Sequence, residues 1–155
     1  MQDKFDLEIL KILQIDNQTS QRDIGDRVGL SAAAVQRRIK RLRADGIIMS
    51  DISVVNRELV GNPITILVEV FLNSEEIELI DEVKQTFVST PEVQQCYYVT
   101  GESDFILVII TPSMADYEKL TRRIFFANKN IKRFRTIIAM ELGKVGLAFP
   151  LNIND

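Results

Sequence analysis

Apolar residues in the first fifty positions recur at three- and four-residue spacing, the period of a helix buried on one side. Phe5, Ile9, Leu10, Ile12 and Leu13 make such a stripe and predict a first helix over residues 3–14. Asp3 is placed to cap it, and Asp6 sits in its first turn, where negative charge is favoured. After the polar loop 16–19, Ser20 and Asp23 have capping-box spacing, with Asp in place of the longer Glu. They open a short helix to about Arg27, with Ile24 and Val28 facing inward. Gly29 allows the positive φ of a tight turn, and Ser31 caps a third helix over residues 31–43. Its buried face is Val35, Ile39 and Leu42. Ala33, Arg37 and Lys40 point the other way, with Gln36 and Arg41 at the edges. A short helix, a glycine turn and a second amphipathic helix together predict a helix-turn-helix.

Asp45-Gly46 stops the third helix, and Ile47-Ile48 begins an extended run to about Val55. Ile52, Val54 and Val55 are too apolar to favour water, so this linker is expected to be semi-ordered. Gly61 and Asn62-Pro63 mark a boundary. Beyond it the pattern alternates between strand and helix. Strands are predicted at Ile64–Leu72, 93–99, 105–110 and 134–142. Helices are predicted at 74–88, with Ile77, Ile80, Val83, Lys84 and Phe87 on one stripe, and at 114–127, with Tyr117, Leu120, Ile124 and Phe125 inward. The order βαββαβ is that of a ferredoxin-like, four-stranded antiparallel sheet with both helices on one face. The fold class is thus α+β: a winged-type helix-turn-helix domain (1–50), an extended linker strand or hinge (51–63), a ferredoxin-like domain (64–142) and a tail (143–155).

The first strand is apolar on both parities, with Ile66, Val68 and Val70 on one and Leu67 and Phe71 on the other, and residues 105–110 are apolar throughout. Strands of that kind are covered on both faces. A second copy of the chain laid against the open face, giving a homodimer, satisfies the pattern.

Charge changes the reading of the third helix. The net charge of −3 conceals nine Lys/Arg and seven Asp/Glu in residues 1–50, against ten and fifteen in 51–155. From Arg37 to Arg43 five of seven residues are basic, and no acid occurs between Ser31 and Ala44. A solvated surface helix usually interleaves the two signs. A basic helix in a helix-turn-helix reads duplex DNA. Arg37 and Lys40, with Gln36 and Ala33 beside them, have the side chains for base edges: guanine for Arg or Lys, adenine for Gln, a thymine methyl for Ala. Arg38, Arg41 and Arg43 on the flanks, and Gln21, Arg22 and Ser31 at helix starts, are candidates for phosphates. The basic cluster Lys129, Lys132, Arg133 and Arg135 reads better as a solvated loop than as part of the DNA path. With no His and one cysteine, Cys96, a zinc site, a disulfide and the commonest general base are all disfavoured. No nucleophile–base pair or phosphate loop stands out, so an enzyme is the weakest reading. An interaction module without a DNA role is the other alternative. The absence of a long apolar run and of a leader points to a cytoplasmic protein, nucleoid-associated if it binds DNA.

These features together resemble the Lrp/AsnC, or feast/famine, family of transcriptional regulators over nearly the whole chain. The resemblance rests on Asp3-x-x-Asp6-x-x-Ile9-Leu10-x-x-Leu13-Gln14, Val28-Gly29-Leu30-Ser31, Val35-x-x-Arg38-Ile39-x-x-Leu42-x-x-x-Gly46-x-Ile48 and Val99-x-Gly101-x-x-Asp104-Phe105. It implies a DNA-reading helix at residues 31–43 and an amino-acid-response (RAM) domain at about 64–142. It further implies dimers that assemble to octamers and a small effector, an amino acid such as leucine, methionine or asparagine, with no other cofactor. The loop Thr100, Gly101, Glu102, Ser103 and Asp104 corresponds to the family's effector loop. In it Asp104 is suited to accept from an α-ammonium group, and the backbone N–H groups near Gly101 to hold a carboxylate. An ordinary hairpin is the competing reading of that loop. Ala32-Ala33-Ala34 stand where the family often carries a Pro and a bulky residue, and Glu102 stands where it usually carries Asp.

Overall fold

A computed structural model describes residues 2–151. The chain divides into two compact units: residues up to Val54 together with the segment from Lys144, and Val55–Gly143. The last four residues of the expected tail lie outside the described residues.

The first unit holds α1 (Lys4–Ile15), α2 (Gln21–Val28) and α3 (Ala32–Ala44). The full capping box is at α1. Asp3 accepts from the Asp6 N–H at 2.9 Å, and Asp6 accepts from the Asp3 N–H at 3.2 Å. At α2 only half the expected box forms. Ser20 accepts from the Asp23 N–H, but the short Asp23 carboxylate takes the Ser20 hydroxyl at 2.7 Å. Ser31 caps α3 by accepting from the Ala34 N–H. Ile9, Ile24, Val28, Val35 and Ile39 form the core, with Ile12, Leu13, Leu30 and Ile48 packed on it. Phe5 does not join it. It stays 38% exposed, with the Arg38 guanidinium 5.4 Å above its ring.

Two glycines shape the α2–α3 turn. Gly29 ends α2 at φ 75°, where a side chain would be strained. Gly25 is buried, and a Cβ there would meet the Leu30 carbonyl oxygen at 2.4 Å, so the turn needs glycine for close approach. That oxygen belongs to a chain folded back hard, since both the Gly29 and Leu30 N–H groups donate to the Gly25 carbonyl. After Gly46, at φ 71°, residues 49–56 have no regular structure, and Ile52, Val54 and Val55 are exposed in the single chain.

The second unit holds β1 (Ile64–Leu72), α4 (Ile77–Val88), β2 (Val93–Tyr98), β3 (Phe105–Thr111), α5 (Met114–Thr121) and β4 (Ile131–Ile138). The sheet is antiparallel throughout, in the order β2-β3-β1-β4. Alternation sends Ile66, Val68, Val70, Phe105, Leu107 and Ile109 into one core with Val83, Phe87, Tyr117, Leu120, Ile124 and Phe125 of the helices. Phe87 packs edge-on against Phe105 and Phe125, with centroids 5.5 and 5.8 Å away. The Tyr117 hydroxyl, on a buried side chain, bonds the Thr136 hydroxyl at 2.6 Å.

Several boundaries differ from expectation. Helix α4 begins at Ile77, not Ser74, and Ile77 in its first turn is 72% exposed. Lys84 also points to solvent. Helix α5 ends early and continues as a π-helical turn over Arg122–Phe126, which keeps Ile124 and Phe125 buried. Strand β4 begins at Ile131 and ends at Ile138, against the expected 134–142. Its first half carries Lys132 and Arg133, which interrupt the apolar pattern.

The face away from the helices carries Leu67, Glu69 and Phe71 of β1. Register places beside them Ile106 and Val108 of β3, Tyr97 of β2, and Arg133, Arg135 and Ile137 of β4. It is largely apolar, as the double-parity runs predict, but β4 places Arg133 and Arg135 on it, and Arg135 pairs with Glu69. Arg133 lies over the Phe71 ring, 3.7 Å from its centroid.

Candidate nucleic-acid interface and effector loop

Helix α3 sorts its basic residues into two groups. Ala33, Gln36, Arg37 and Lys40 are all exposed along one face. Among the described residues, the side chains of Gln36, Arg37 and Lys40 make no hydrogen bond or ion pair. The other arginines are engaged. Arg38 is only 21% exposed and donates through Nη1 to Asp3 at 2.7 Å and to Asp6 at 2.8 Å. Arg41 pairs with the other oxygen of Asp6, a carboxylate 1% exposed. Arg43 donates twice to Asp51, at 2.9 and 3.2 Å.

This arrangement revises the phosphate set. Arg38, expected on the DNA backbone, is turned onto α1 and enclosed by two carboxylates. Its companion Asp3 has its carboxyl held below the ordinary range, first by the Asp6 backbone N–H and then by Arg38. Arg38 in turn is raised, chiefly by Asp3 and then Asp6. Arg41 and Arg43, about half exposed, keep donors facing water. Gln21 and Arg22 are exposed on the first turn of α2, and Ser31 begins α3 with its hydroxyl proton still available. The Asp3–Asp6–Arg38–Arg41 cluster had no local signal in the sequence, because its partners lie 32 and 35 residues apart.

The loop after β2 is built around Asp104. Its carbonyl accepts from the Val99 N–H, and its N–H donates to the Val70 carbonyl, both at 2.9 Å. Its carboxylate accepts from the Leu72 N–H at 2.7 Å, beside the bulge between Phe71 and Leu72. One Asp104 oxygen is thus committed to closing the end of β1. Thr100, Gly101 (φ 128°) and Glu102 are exposed, and Ser103 is half-buried. Glu102 is close enough to Arg135 to add to the upward shift that Glu69 imposes on that guanidinium. Arg133 and Arg135 therefore belong to the open sheet face, not to a solvated loop. Cys96 is half-buried against the core, and burial pushes its thiol upward, away from the reactive thiolate. Among the described residues, no helix is long and apolar enough to cross a membrane.

Known proteins share both halves of this arrangement. The family model for winged helix-turn-helix DNA-binding matches residues 2–49, and that for the Lrp/AsnC ligand binding domain matches residues 65–145. An uncharacterised HTH-type transcriptional regulator of Sinorhizobium fredii is 41% identical over 97% of this chain and 89% of its own length. The solved structure of an AsnC family transcriptional regulator from Agrobacterium tumefaciens superposes with a TM-score of 0.89. It is 29% identical and covers 96% of this chain and 97% of its own. A transcriptional regulator from Neisseria meningitidis in complex with L-Met gives the same TM-score at 22% identity, covering 98% of both chains. The chain belongs to the Lrp/AsnC family of transcriptional regulators, with a DNA-binding helix-turn-helix unit and a ligand-binding ferredoxin-like unit on one polypeptide.

Proposed function

We propose that α3 reads base edges through Ala33, Gln36, Arg37 and Lys40, while Gln21, Arg22, Ser31, Arg41 and Arg43 hold phosphates. The observation that carries this reading is that Arg37 and Lys40 are exposed, share a face and have no protein partner among the described residues. On this reading residues 1–50 form the DNA-binding domain, 51–63 the hinge and 64–142 the effector and assembly domain. The working protein is cytoplasmic and not an enzyme. It is a homodimer covered across the open sheet face, and such dimers assemble to an octamer. The effector is an amino acid held near residues 100–104. Support comes from the ligand-binding family match and from the Neisseria regulator, which holds L-Met. With one Asp104 oxygen already committed, the other and the exposed Glu102 are the acceptors for an ammonium group.

The test is a salt-resolved titration of duplex selected from a random library. Arg37→Ala with Lys40→Ala should lower specific affinity and relax sequence preference, at about 1–3 kcal/mol for each base-edge pairing removed. Unchanged affinity and preference would remove these residues from the interface. A melting screen across the amino acids tests the effector, since a ligand at 100 times its Kd adds about 2.7 kcal/mol. A flat screen would leave residues 100–104 as a hairpin.

A further inference from the structure

The C-terminal segment does not end with the ferredoxin-like unit. From Lys144 onward it belongs to the helical unit. After the Ala139 N–H, which donates to the Thr65 carbonyl, no residue from Met140 to Ala148 makes a hydrogen bond among the described residues. Pairing resumes at Phe149, and with one side chain. The Phe149 N–H donates to Gln14 Oε1 at 2.5 Å, and Gln14 Nε2 donates back to the Phe149 carbonyl at 3.1 Å. The Gln14 amide thus meets the backbone of one residue as a neighbouring strand would, through one acceptor and one donor. Only a side-chain amide offers both in that geometry. Leu151, two residues on, is half-buried, whereas residues 140–150 are exposed.

We propose that Gln14 is a positioning residue for DNA reading, a clip that gives the helix-turn-helix unit a second tether. The proposal rests on the DNA-reading role of α3. Residues 49–63 are the first tether, and most of them lack regular structure. A unit held only by such a linker loses its orientational freedom when it docks, and that loss weakens binding. A second attachment closes the loop and restricts the unit beforehand. The clip acts on the right element. It grips the C-terminal end of α1, and the N-terminal end of the same helix holds α3 through Asp3 and Asp6 on Arg38 and Arg41. The tail that reaches Gln14 is the continuation of β4, the strand that carries Arg133 and Arg135. For a dimer reading two half-sites, the clip should narrow the range of half-site spacings it tolerates more than it affects reading of either site alone.

The test uses the full chain and duplexes carrying one or two copies of the half-site selected by the wild type, with the spacing between copies varied. Gln14→Ala, and Gln14→Glu, which keeps the acceptor and loses the donor, should weaken binding at the best two-site spacing about fivefold. Both should also broaden the range of tolerated spacings. Single-site binding and melting temperature should stay at wild-type values. No change in spacing preference, or an equal loss on the single site, would overturn the proposal. A cross-link tests the clip without DNA. Ile15→Cys with Ala148→Cys, both exposed and next to the clip so that Gln14 is kept, should be joined within one chain by a short bismaleimide in a Cys96→Ser background. No cross-link, or one that joins two chains, would overturn it. If the wild type bound no duplex, the DNA-reading role itself would fall, and the cross-link would still decide whether the clip exists.

Discussion

Replacing Asp6 by Ala tests how α3 is held. The Asp6 carboxylate accepts from the Asp3 N–H, from Arg38 and from Arg41, and it is 1% exposed. Loss of its half of the capping box costs about 1 kcal/mol. Breaking a fully buried ion pair costs about 3–5 kcal/mol. Here that figure must be reduced, because Arg38 is 21% exposed and Arg41 51% exposed, so both regain water when the acid is removed. Arg38 also keeps Asp3. A further 1–2 kcal/mol, roughly, is reasonable, giving about 2–3 kcal/mol in all. Asp6→Asn should cost less, because its amide oxygen can still accept the Asp3 N–H. Urea unfolding followed by helical circular dichroism measures the change, read as a shift in midpoint at constant slope. A double-mutant cycle with Arg38→Ala isolates the pair and should return a coupling of about 1 kcal/mol or more. If Asp6→Ala lay within about 0.5 kcal/mol of wild type, the range of an ordinary surface substitution, the cluster would not be holding α3.

Three other substitutions have defined outcomes. Gly25→Ala places a Cβ 2.4 Å from the Leu30 carbonyl oxygen. It should cost about 1–3 kcal/mol in thermal unfolding, and the α2–α3 angle must open, so DNA affinity should fall with it. The depressed Asp3 carboxyl makes the helical unit acid-sensitive. The unfolded chain binds more protons there, so stability is fully present above the ordinary value of 3.8 and is lost as pH falls through the lower folded value. Asp3→Asn should flatten that acid limb in pH-resolved melting, and an unchanged limb would remove Asp3 as its source. Leu67→Asp places a charge on the open sheet face without touching the helix-side core, and sedimentation should show the assembly shifted toward monomer. An unshifted assembly would mean that this face is not the interface.

Much of the fold is legible in the sequence because short-range periodicity carries it. The order βαββαβ, the β1 bounds and the inward residues Tyr117, Leu120, Ile124 and Phe125 follow from spacing alone. The misses share a cause, which is that spacing says nothing of what lies across the fold. Phe5 lies on the apolar stripe of α1 but covers the cluster side, where Arg38 stacks on it. Ile77 has the right spacing but sits in the first turn of α4, where it stays exposed. The pattern places β4 late because Lys132 and Arg133 look like loop residues where apolar ones are expected. The exposed basic side of α3 is legible from charge and phase. The role of Arg38 is not, since nothing near it in the chain names Asp3 or Asp6 as partner. Gly25 is equally silent, because the atom that excludes a side chain there belongs to Leu30 across the turn.

The Glu69–Arg135 pair sits among Leu67, Ile106 and Ile137 on the open sheet face. Such a pair acts as a lock as well as a contact. A second sheet that presents the matching pattern around a two-fold axis covers both charges with their partners in place. A sheet from a different protein, or the same one slipped by a residue, would press apolar side chains onto a charge whose partner has been drawn away, leaving it desolvated and unpaired. If copies of this chain pair across that face as proposed, regulators of one architecture that lack the matching pair would be kept from forming mixed pairs, and their gene circuits would stay separately wired.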